Sequence, residues 1–573
     1  MKISYIKIEN YRNFKEFETT LSKLSVVVGE NDSGKSNFIK ALSLPLSGNN
    51  LDYTNKKLGL SDINLQSIND FYDSIKKSES DYLTKSKIPS VKVTIRFDEV
   101  TSEYEKQIVR QWINEYEGLV CYEIRYEFKP KNEAIFIELV KDLISKDIKQ
   151  NSIEKDTDTI SKFFLPIEYY DYSIISTNNN KQISYADLRK ITINAIYAER
   201  DDFSESNSMK SNSILTKLLH QKLSETEKNE INKEYIKFFK SIEAQDNFKS
   251  IFQSDEGSFH NIKTHIEGIK CIPNIANLKN ILSNITLGYG EEFLHQKGLG
   301  QRNLIYIFIF FLHFKSIKSH FNLSCVEEPE SHLSSNNLNL AIDYICKSVA
   351  ESENLFQTIL TSHNPNAINK LQFNNVIAIN GNKAINFKDA DPLLVSYLSK
   401  RPNFDILKLL FSNRIILVEG PSEEMFINTI LYKDKLNLSS IDIISIGQKG
   451  FKMFLDIWLL LNIQNPKKKI GIVRDFDNQS NAQYEHDIYD LDNPNIFVRT
   501  TSAYTLEDEI ANTGANCEVL SRLFGVPNDR IAVSNYMKAG KTEAMLKLCD
   551  SWQLNQIFIT PTKHITDIID CLK

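Results

Sequence analysis

The chain has 573 residues, more than one hydrophobic core usually serves, so two to four domains are expected. Hydrophobic residues make up 41% and charged residues 25%, which is typical of a globular protein and excludes a disordered one. The formal net charge of −6 gives no sign of a nucleic-acid binder, so any basic surface must be local. None of the seven cysteines forms a CxxC pair, which argues against a zinc ribbon and a dithiol redox motif.

The opening residues, MKISYIKIENY, alternate like a strand and lack the pattern of a signal peptide. The most apolar run, Leu304 to Phe314, is too short to span a bilayer and contains His313. We therefore predict a buried helix at this run, no membrane segment and a cytoplasmic location.

A phosphate-binding loop follows the first strands. Residues 29–36 (GENDSGKS) stand between the apolar stretch Leu24 to Val28 and a helical pattern over Ser36 to Leu44. This is a Walker A motif, in which glycines let backbone N–H groups surround a phosphate, a lysine reaches the β- and γ-phosphates and a serine binds Mg²⁺. The predicted ATP-binding residues are Gly29, Asn31, Gly34, Lys35 and Ser36. Arg12, in the opening segment, is a further candidate to reach the nucleotide.

The partners of this loop come later in the expected order. The apolar residues 323–326 end in Glu327 and Glu328, a Walker B pattern in which Glu327 would hold Mg²⁺ and Glu328 would polarise the attacking water. His363 follows the next apolar strand and would sense the γ-phosphate. Residues 297–303 (KGLGQRN) occupy the place of an ABC signature, which contacts ATP bound to a second subunit; a plain glycine-rich turn is the alternative.

The middle of the chain carries fewer motifs. Val91 to Phe97 and Cys121 to Phe128 alternate like antiparallel strands, and Ala134 to Leu139 is predicted as a third. From Ser204 to about Ile285, apolar residues recur at helical spacing among many charges. This predicts a helical insertion, either a dimerisation arm or a further helical layer.

A second α/β unit begins near Arg414 and brings carboxylates together. An apolar strand ends at Glu419, and a later one ends at Asp475 and Asp477. Because the carboxyl ends of parallel strands meet at one edge, these three side chains are expected to converge, with both aspartates on one side if the strand persists that far. Clustered carboxylates require a cation, and oxygen ligands favour Mg²⁺ or Mn²⁺.

The Glu-Gly and Asp-x-Asp motifs at this spacing resemble the Toprim fold. The order of an ABC-type ATPase followed by Toprim resembles the OLD (overcoming lysogenisation defect) nucleases over essentially the whole chain, with the Gabija-type class similar in length and layout. The resemblance implies two metals per Toprim site, with Glu419, Asp475 and Asp477 at one metal and Glu423 assisting the second. It also implies catalytic or ligand roles for Glu507, Glu509 and Lys541.

Three parts of this implied site have alternatives. Residues 507–509 could be an ordinary solvated helix start, the family often has Asp where this chain has Glu509, and Lys538 competes with Lys541. The implied role of the lysine is to stabilise charge on the phosphate in the transition state.

The predicted fold class is α/β: an ABC-type ATPase head with a helical insertion or dimerisation arm, followed by a Toprim domain. The predicted boundaries are 1–203 and 286–400 for the ATPase, 204–285 for the insertion and 401–573 for Toprim. The resemblance implies an ATP-regulated, metal-dependent DNA endonuclease in bacterial anti-phage defence, acting as a homodimer or tetramer. A UvrD-like helicase or a retron reverse transcriptase with its nucleic acid would be its partner.

Two other functions stay open at this point. The first is a repair- or recombination-type ATPase whose Toprim domain is a non-catalytic DNA-binding or docking module; like charges assembled in one place argue against it. The second, a topoisomerase or primase, is disfavoured because no Cys/His set suits a primase zinc module. The region between the two catalytic units also looks too short for a topoisomerase tyrosine domain.

Overall fold

The computed structural model describes residues 1–48, 56–76, 88–116, 118–150, 165–198, 213–245, 278–290, 292–316, 321–351, 356–401, 404–434, 441–447, 450–462 and 465–573. The chain divides into two compact units. The first comprises Met1–Val27 and Gly34–Val376, and the second comprises Val28–Ser33 and Ile377–Lys573. The domain boundaries given above remain predictions.

The elements of the first unit follow the predicted pattern at its ATPase motifs. In chain order they are β1 (Lys2–Tyr11), β2 (Phe14–Thr20), β3 (Leu24–Val28), α1 (Lys35–Ser43), β4 (Ser47–Gly48), α2 (Leu65–Lys76), β5 (Val91–Asp98), α3 (Glu103–Val109), β6 (Ile113–Tyr116), β7 (Leu119–Pro130), α4 (Glu133–Gln150), β8 (Tyr170–Ser176), α5 (Tyr185–Leu188), β9 (Ile191–Ile196), α6 (Ile214–Lys222), α7 (Glu225–Glu243), α8 (Leu278–Leu282), β10 (Gly288–Tyr289), β11 (Glu292–Phe293), α9 (Leu299–Ser316), β12 (Phe321–Glu327), α10 (Ser335–Ala350), β13 (Phe356–Ser362) and α11 (Pro365–Lys370).

The first unit contains an antiparallel sheet in the order β2-β1-β5-β7-β6, with β8 also paired to β7. Strand β5 shows why these segments form strands: Val91, Val93, Ile95 and Phe97 are all fully buried at a period of two. The predicted strands at 91–97 and 121–128 are therefore confirmed and form neighbours in this sheet.

The predicted strand at Ala134 to Leu139 is wrong, because these residues begin helix α4. The side-chain oxygen of Asn132 accepts hydrogen bonds from the backbone N–H groups of Ala134 (3.1 Å) and Ile135 (3.2 Å). An asparagine at this position caps the first turn of a helix, and a short apolar run fits either a helical or a strand period.

Parallel strands carry the ATPase motifs. Strands β3, β13, β12, β9 and β4 lie side by side in that order, and β12 is parallel to both β13 and β9. Every residue of β12 and β13 is buried, as expected for central strands covered on both faces. The apolar run near His313 forms α9, whose Phe310, Phe311 and Phe314 are buried in the core.

Helices α6 and α7 occupy part of the predicted helical insertion, so its helical character is borne out where the structure describes it. Much of that insertion (204–212 and 246–277) lies outside the described residues. Within the described part of the chain, no helix is both long and apolar enough to cross a membrane.

The second unit alternates strands and helices. Its elements are β14 (Val376–Asn380), β15 (Lys383–Asn386), α12 (Pro392–Ser399), α13 (Ile406–Phe411), β16 (Arg414–Val418), α14 (Pro421–Lys433), β17 (Asp442–Ser445), α15 (Phe451–Asn462), β18 (Lys469–Arg474), α16 (Ser480–Asp492), β19 (Ile496–Thr500), α17 (Leu506–Asn512), α18 (Asn516–Phe524), α19 (Arg530–Ala539), α20 (Lys541–Gln553) and α21 (Lys563–Leu572).

A parallel sheet in the order β17-β16-β18-β19 is the centre of the second unit. Its two inner strands are short apolar runs, and Ile415 to Val418 are fully buried. A side chain at Gly471 would meet Ile568 of α21 at 2.6 Å, so the glycine lets this helix pack closely on β18. This sheet sets the carboxyl ends of β16 and β18 next to each other.

Candidate functional site

The Walker A loop joins β3 to α1. Gly34, the residue before α1, has a left-handed backbone (φ 104°). A Cβ at this position would collide with the side chain of Asn13 and approach the ring of Phe14 to 2.8 Å, so only glycine fits. Lys35 is buried at the start of α1, and Ser36 is exposed. The loop and the helix N-terminus therefore have the form that a phosphate-binding motif requires.

The Walker B carboxylates lie at the end of β12. Ser36 Oγ donates to Glu327 Oε2 at 3.4 Å, which places the two predicted magnesium-binding residues together. Burial raises the pKa of Glu327, while Lys40 and Ser36 lower it. A bound divalent cation would favour the charged form of this carboxylate.

Glu328 and His363 are also brought together. His363 Nδ1 lies 3.3 Å from Glu328 Oε1, and the His363 side chain is 51% exposed. Glu328 has a left-handed backbone (φ 43°), and its N–H donates to the carbonyl oxygen of Thr361 at 3.0 Å. This tight turn aims the predicted water-polarising carboxylate at the predicted γ-phosphate sensor.

Glu330, just beyond the two Walker B carboxylates, is a residue to which the sequence pattern assigned no role. Its Oε1 accepts hydrogen bonds from Ser362 Oγ (2.7 Å) and from the backbone N–H of His363 (2.8 Å). Glu330 is 9% exposed, so this contact is sheltered from water. Glu330 thus fixes the segment that carries His363, and its position two residues after Glu328 was the available signal.

The signature-like segment leads into α9. Gly300 lies against the chain after Walker B, where a Cβ would come 2.7 Å from the carbonyl oxygen of His332. Asn303 Nδ2 donates to the carbonyl oxygen of Ser331 at 2.8 Å. Gly298 and Leu299 are exposed, which a contact with ATP on a second subunit would require.

The second candidate site is an acidic edge of the parallel sheet in the second unit. Glu419 directly follows β16, and Asp475 directly follows β18. The two aspartates are expected to point the same way only if β18 continues to Asp477. The strand does not continue that far, because β18 ends at Arg474 and Asp477 has a left-handed backbone (φ 47°). Asp477 is instead held by its N–H, which donates to the carbonyl oxygen of Tyr504 at 3.0 Å.

The electrostatics of Asp475 identify the carboxylates that surround it. Asp475 is 8% exposed, and burial, followed by repulsion from four other carboxylates, raises its pKa to about 8. These four carboxylates belong to Glu423, Glu419, Glu507 and Asp477. Four other predicted ligands therefore lie within electrostatic reach of Asp475.

Glu423 is the third residue of α14 and caps that helix. Its Oε2 accepts a hydrogen bond from the N–H of Gly420 at 3.1 Å, and Pro421 occupies the first position of the helix. Burial raises the pKa of Glu423, repulsion from Glu507 adds to the rise, and Lys541 opposes it. Lys541 is thus within electrostatic reach of Glu423.

The three acidic residues at the start of α17 have different surroundings. Glu507 is 2% exposed and contributes to the acidic edge. Asp508 binds Lys538, whose Nζ lies 2.6 Å from Oδ2. Glu509 accepts hydrogen bonds from Ser502 Oγ (2.8 Å) and the N–H of Ala503 (2.7 Å), so the structure does not bring it to the acidic edge.

One buried atom tests whether a cation fits this edge. Glu507 Oε2 is buried and has no hydrogen-bond partner among the residues that the structure describes. A buried carboxylate oxygen without a donor is costly, and a divalent cation would satisfy it. The donor set, all carboxylate oxygens, suits Mg²⁺ or Mn²⁺.

The carboxylates of the acidic edge do not form a complete metal-binding site as they stand. Among the described residues, no three His, Cys, Asp or Glu side chains lie close enough together to hold a metal ion. The carboxylates are therefore close enough to repel one another but too far apart to ligate one cation without side-chain movement.

Arg474 is a residue near this edge that the sequence did not single out. It is 3% exposed, and its Nη1 lies 3.2 Å from His486 Nδ1. Burial lowers the pKa of Arg474, and the carboxylate of Glu419 is the main group that raises it. This guanidinium supplies part of the positive charge that lets the carboxylates assemble.

Comparison with known proteins finds two family matches in this chain. Residues 1–368 match the family described as AAA ATPase domain (AAA_15). Residues 410–477 match the family described as Overcoming lysogenization defect protein-like, TOPRIM domain. The chain belongs to the AAA_15 ATPases and carries an OLD-like Toprim domain. The recognition of an OLD-type ATPase–Toprim chain and the α/β fold class are therefore confirmed.

Two curated relatives of this ATPase–Toprim chain are each called Endonuclease GajA. The protein from Bacillus cereus strain HuB5-5 is 24% identical over 78% of this chain and 73% of its own length. The protein from Bacillus cereus strain VD045 is 22% identical over 75% of this chain and 68% of its own length.

Two solved structures similar to the chain are SMC head domains. One is the SMC head bound to the C-winged helix domain of ScpA, with a TM-score of 0.34, 14% identity and coverage of 68% of this chain and 100% of that one. The other is the SMC head domain from Thermotoga maritima, with a TM-score of 0.28, 13% identity and coverage of 67% and 99%.

Proposed function

We propose that this chain is an ATP-regulated, divalent-metal-dependent DNA endonuclease. The observation that carries the proposal is the set of five carboxylates at one sheet edge, among which burial and mutual repulsion raise the pKa of Asp475 to about 8. A protein that only needed a stable fold would gain from separating these charges. The name Endonuclease GajA, borne by both curated relatives, supports the same reading.

The five carboxylates would divide between two cations. Glu419, Asp475 and Asp477 would bind one cation, and Glu423 and Glu507 would help to hold the second. Bound Mg²⁺ or Mn²⁺ would polarise the scissile phosphate and lower the pKa of an attacking water. Lys541 would stabilise the negative charge that develops on the phosphate, because it already lies within electrostatic reach of Glu423.

The ATPase motifs would regulate cleavage. Lys35 and Ser36 would bind the phosphates and Mg²⁺ with Glu327, while Glu328 and His363 would act at the γ-phosphate. Gly29, Asn31 and Gly34 would supply the loop backbone. If the exposed segment at Gly298 reaches ATP on another subunit, the active form is a homodimer or tetramer.

The biological role that we propose is bacterial anti-phage defence with DNA as the substrate. A defence-system partner, such as a UvrD-like helicase or a retron reverse transcriptase with its nucleic acid, would act with the chain. This part of the proposal rests on the family resemblance.

One observation favours a second candidate function. No described group of three metal-ligating side chains is close enough to bind a cation as it stands, which fits a Toprim domain that docks on DNA without cutting it. In that case the first unit would be a repair- or recombination-type ATPase.

Plasmid cleavage separates these two functions. We would incubate supercoiled plasmid with Mg²⁺ or Mn²⁺, with and without ATP, and compare the intact chain with Asp475→Ala, Lys35→Ala and the exposed control Asp492→Ala. An endonuclease loses cutting in Asp475→Ala, keeps it in Asp492→Ala and changes its response to ATP in Lys35→Ala. A chain that binds plasmid without nicking it under every condition is the docking module.

A further inference from the structure

A cavity with four cationic side chains in its lining lies beside α1 in the first unit. Its volume is about 580 Å³, large enough for a nucleotide-sized ligand. The β1–β2 turn, the second half of α1, residues 56–62 and the residue after β9 form its walls. The cationic residues that line it are Arg12, Lys40, Lys56 and Lys57.

The positive charge of this cavity is only partly balanced. Among the described residues, Asp62 is the one carboxylate in its lining, and Arg12 binds it through Nε (2.9 Å) and Nη2 (2.8 Å). This pair leaves three lysines. Lys40 is within electrostatic reach of Glu327, and Lys57 is within reach of Asp171. The charge of the third lysine, Lys56, has to be considered separately.

Lys56 has a neutral partner. Its ammonium donates to the carbonyl oxygen of Leu46 at 2.6 Å, and no carboxylate of the described residues pairs with it. Burial lowers the pKa of Lys56 to about 8, which means that the surroundings disfavour its charge. An anion bound in the cavity would stabilise the charged form of the Lys56 ammonium.

The cavity shares Arg12, a predicted nucleotide contact, with the ATP site, but it does not include the phosphate loop. None of the lining residues that the structure describes belongs to the loop from Gly29 to Ser36. Lys40 lies on α1 one turn after Ser36, so the cavity extends along the helix away from the loop.

We propose that this cavity is a second anion site, which binds a phosphate group carried by a free nucleotide or by DNA. Lysine ammonium groups bind phosphate as point charges, and the buried ring of Tyr11 gives the cavity an aromatic wall. The site is independent of the proposed nuclease activity, because it involves no residue of the acidic edge.

The test measures phosphate binding in a chain whose Walker A site is disabled. Isothermal titration calorimetry with inorganic pyrophosphate would compare Lys35→Ala with the double variants Lys35→Ala/Lys56→Met and Lys35→Ala/Lys57→Met. Lys35→Ala/Lys181→Met is the matched control, because Lys181 is exposed and is not among the described residues that line the cavity. Thermal unfolding of each variant checks that it folds.

The expected result is that Lys35→Ala binds pyrophosphate, that Lys56→Met weakens this binding at least tenfold and that Lys57→Met weakens it less. The Lys181 control should bind as tightly as Lys35→Ala. Affinity should also fall between pH 7 and pH 9 as Lys56 loses its proton, and this fall should be absent in the Lys56→Met variant.

Two results would overturn the proposal. Loss of all pyrophosphate binding in Lys35→Ala would make the cavity part of the ATP site, and binding that ignores both Lys56→Met and Lys57→Met would place the anion elsewhere. Titration with dAMP and with a blunt DNA duplex then identifies the source: Lys56-dependent binding of dAMP indicates a free nucleotide, and Lys56-dependent binding of the duplex alone indicates DNA.

Discussion

The ammonium of Lys538 binds both carboxylate oxygens of Asp508, at 2.7 and 2.6 Å. Asp508 also accepts hydrogen bonds from Ser534 Oγ and Thr505, and the ion pair with Lys538 contributes to lowering its pKa. This ion pair connects α19 to the start of α17. It also distinguishes Lys538 from Lys541, which the sequence alone could not rank for the role at the phosphate. Lys538 has a structural partner, whereas Lys541 acts on Glu423.

We predict that Lys541→Met lowers the rate of plasmid cleavage by about 100-fold or more, because it removes charge stabilisation at the phosphate. Lys538→Met should leave the chemical step nearly unchanged and lower the free energy of unfolding by about 1 kcal/mol or less, since the ion pair is partly exposed. Single-turnover cleavage and urea unfolding of both variants measure these effects. A larger loss of cleavage in Lys538→Met than in Lys541→Met would reverse the assignment.

Replacing Glu507 or Glu509 with glutamine should change the stability of the metal-free protein in opposite directions. Glu507→Gln removes one buried like charge, so the metal-free protein should unfold at a higher temperature while Mg²⁺ stabilises it less. Glu509→Gln weakens the hydrogen bonds to Ser502 and Ala503, so the metal-free protein should lose about 1 kcal/mol and keep its response to Mg²⁺. Thermal unfolding with EDTA and with Mg²⁺ reports both quantities, and equal Mg²⁺ responses in the two variants would argue against a ligand role for Glu507.

The part of the acidic edge formed by Glu419 and Asp475 could be predicted from sequence. Glu419 follows the apolar run Ile415 to Val418, and Asp475 follows the apolar run Ile470 to Val473 after one arginine. Such runs form the buried inner strands of a parallel sheet. Since parallel strands end at the same edge, the topology itself brings these side chains together.

The separate roles of residues 507–509 could not be predicted in the same way. Successive residues of a helix point about 100° apart, so only the seating of α17 decides which of the three faces the acidic edge. That seating depends on Lys538 and Ser502, which lie 30 residues after Asp508 and 7 before Glu509. The helix that includes Ala134 could not be predicted for a related reason. The apolar run fits a helical and a strand period equally, and the capping residue Asn132 favours the helix.

Cation binding at the acidic edge should strengthen as pH rises. The pKa of Asp475 is raised to about 8 in the folded chain, well above its ordinary value of 3.8, so the folded protein holds a proton that the unfolded one has lost. The stability due to this shift is present at low pH and is lost as pH rises towards 8. Mg²⁺ must displace the same proton, so its affinity should increase from pH 6 to pH 8.5.

The measurement is thermal unfolding from pH 6 to pH 8.5 with EDTA or Mg²⁺, for the intact chain and for Asp475→Asn. With EDTA, the intact chain should lose stability relative to Asp475→Asn as pH rises, and Mg²⁺ should reverse that loss. Parallel curves for the two proteins under both conditions would contradict the raised pKa.

The last prediction concerns Glu330, which positions His363 from the Walker B segment. Glu330→Ala removes the acceptor for Ser362 Oγ and for the N–H of His363, so the imidazole should no longer be held 3.3 Å from Glu328. Because a small displacement of a catalytic group slows chemistry more than binding, we expect ATP hydrolysis to fall about tenfold or more while ATP affinity changes by less than about threefold. Steady-state hydrolysis and equilibrium binding of ATP test this, with the exposed Glu351→Ala as the matched control. Equal loss of binding and hydrolysis in Glu330→Ala would mean that Glu330 supports the nucleotide site as a whole and does not position His363.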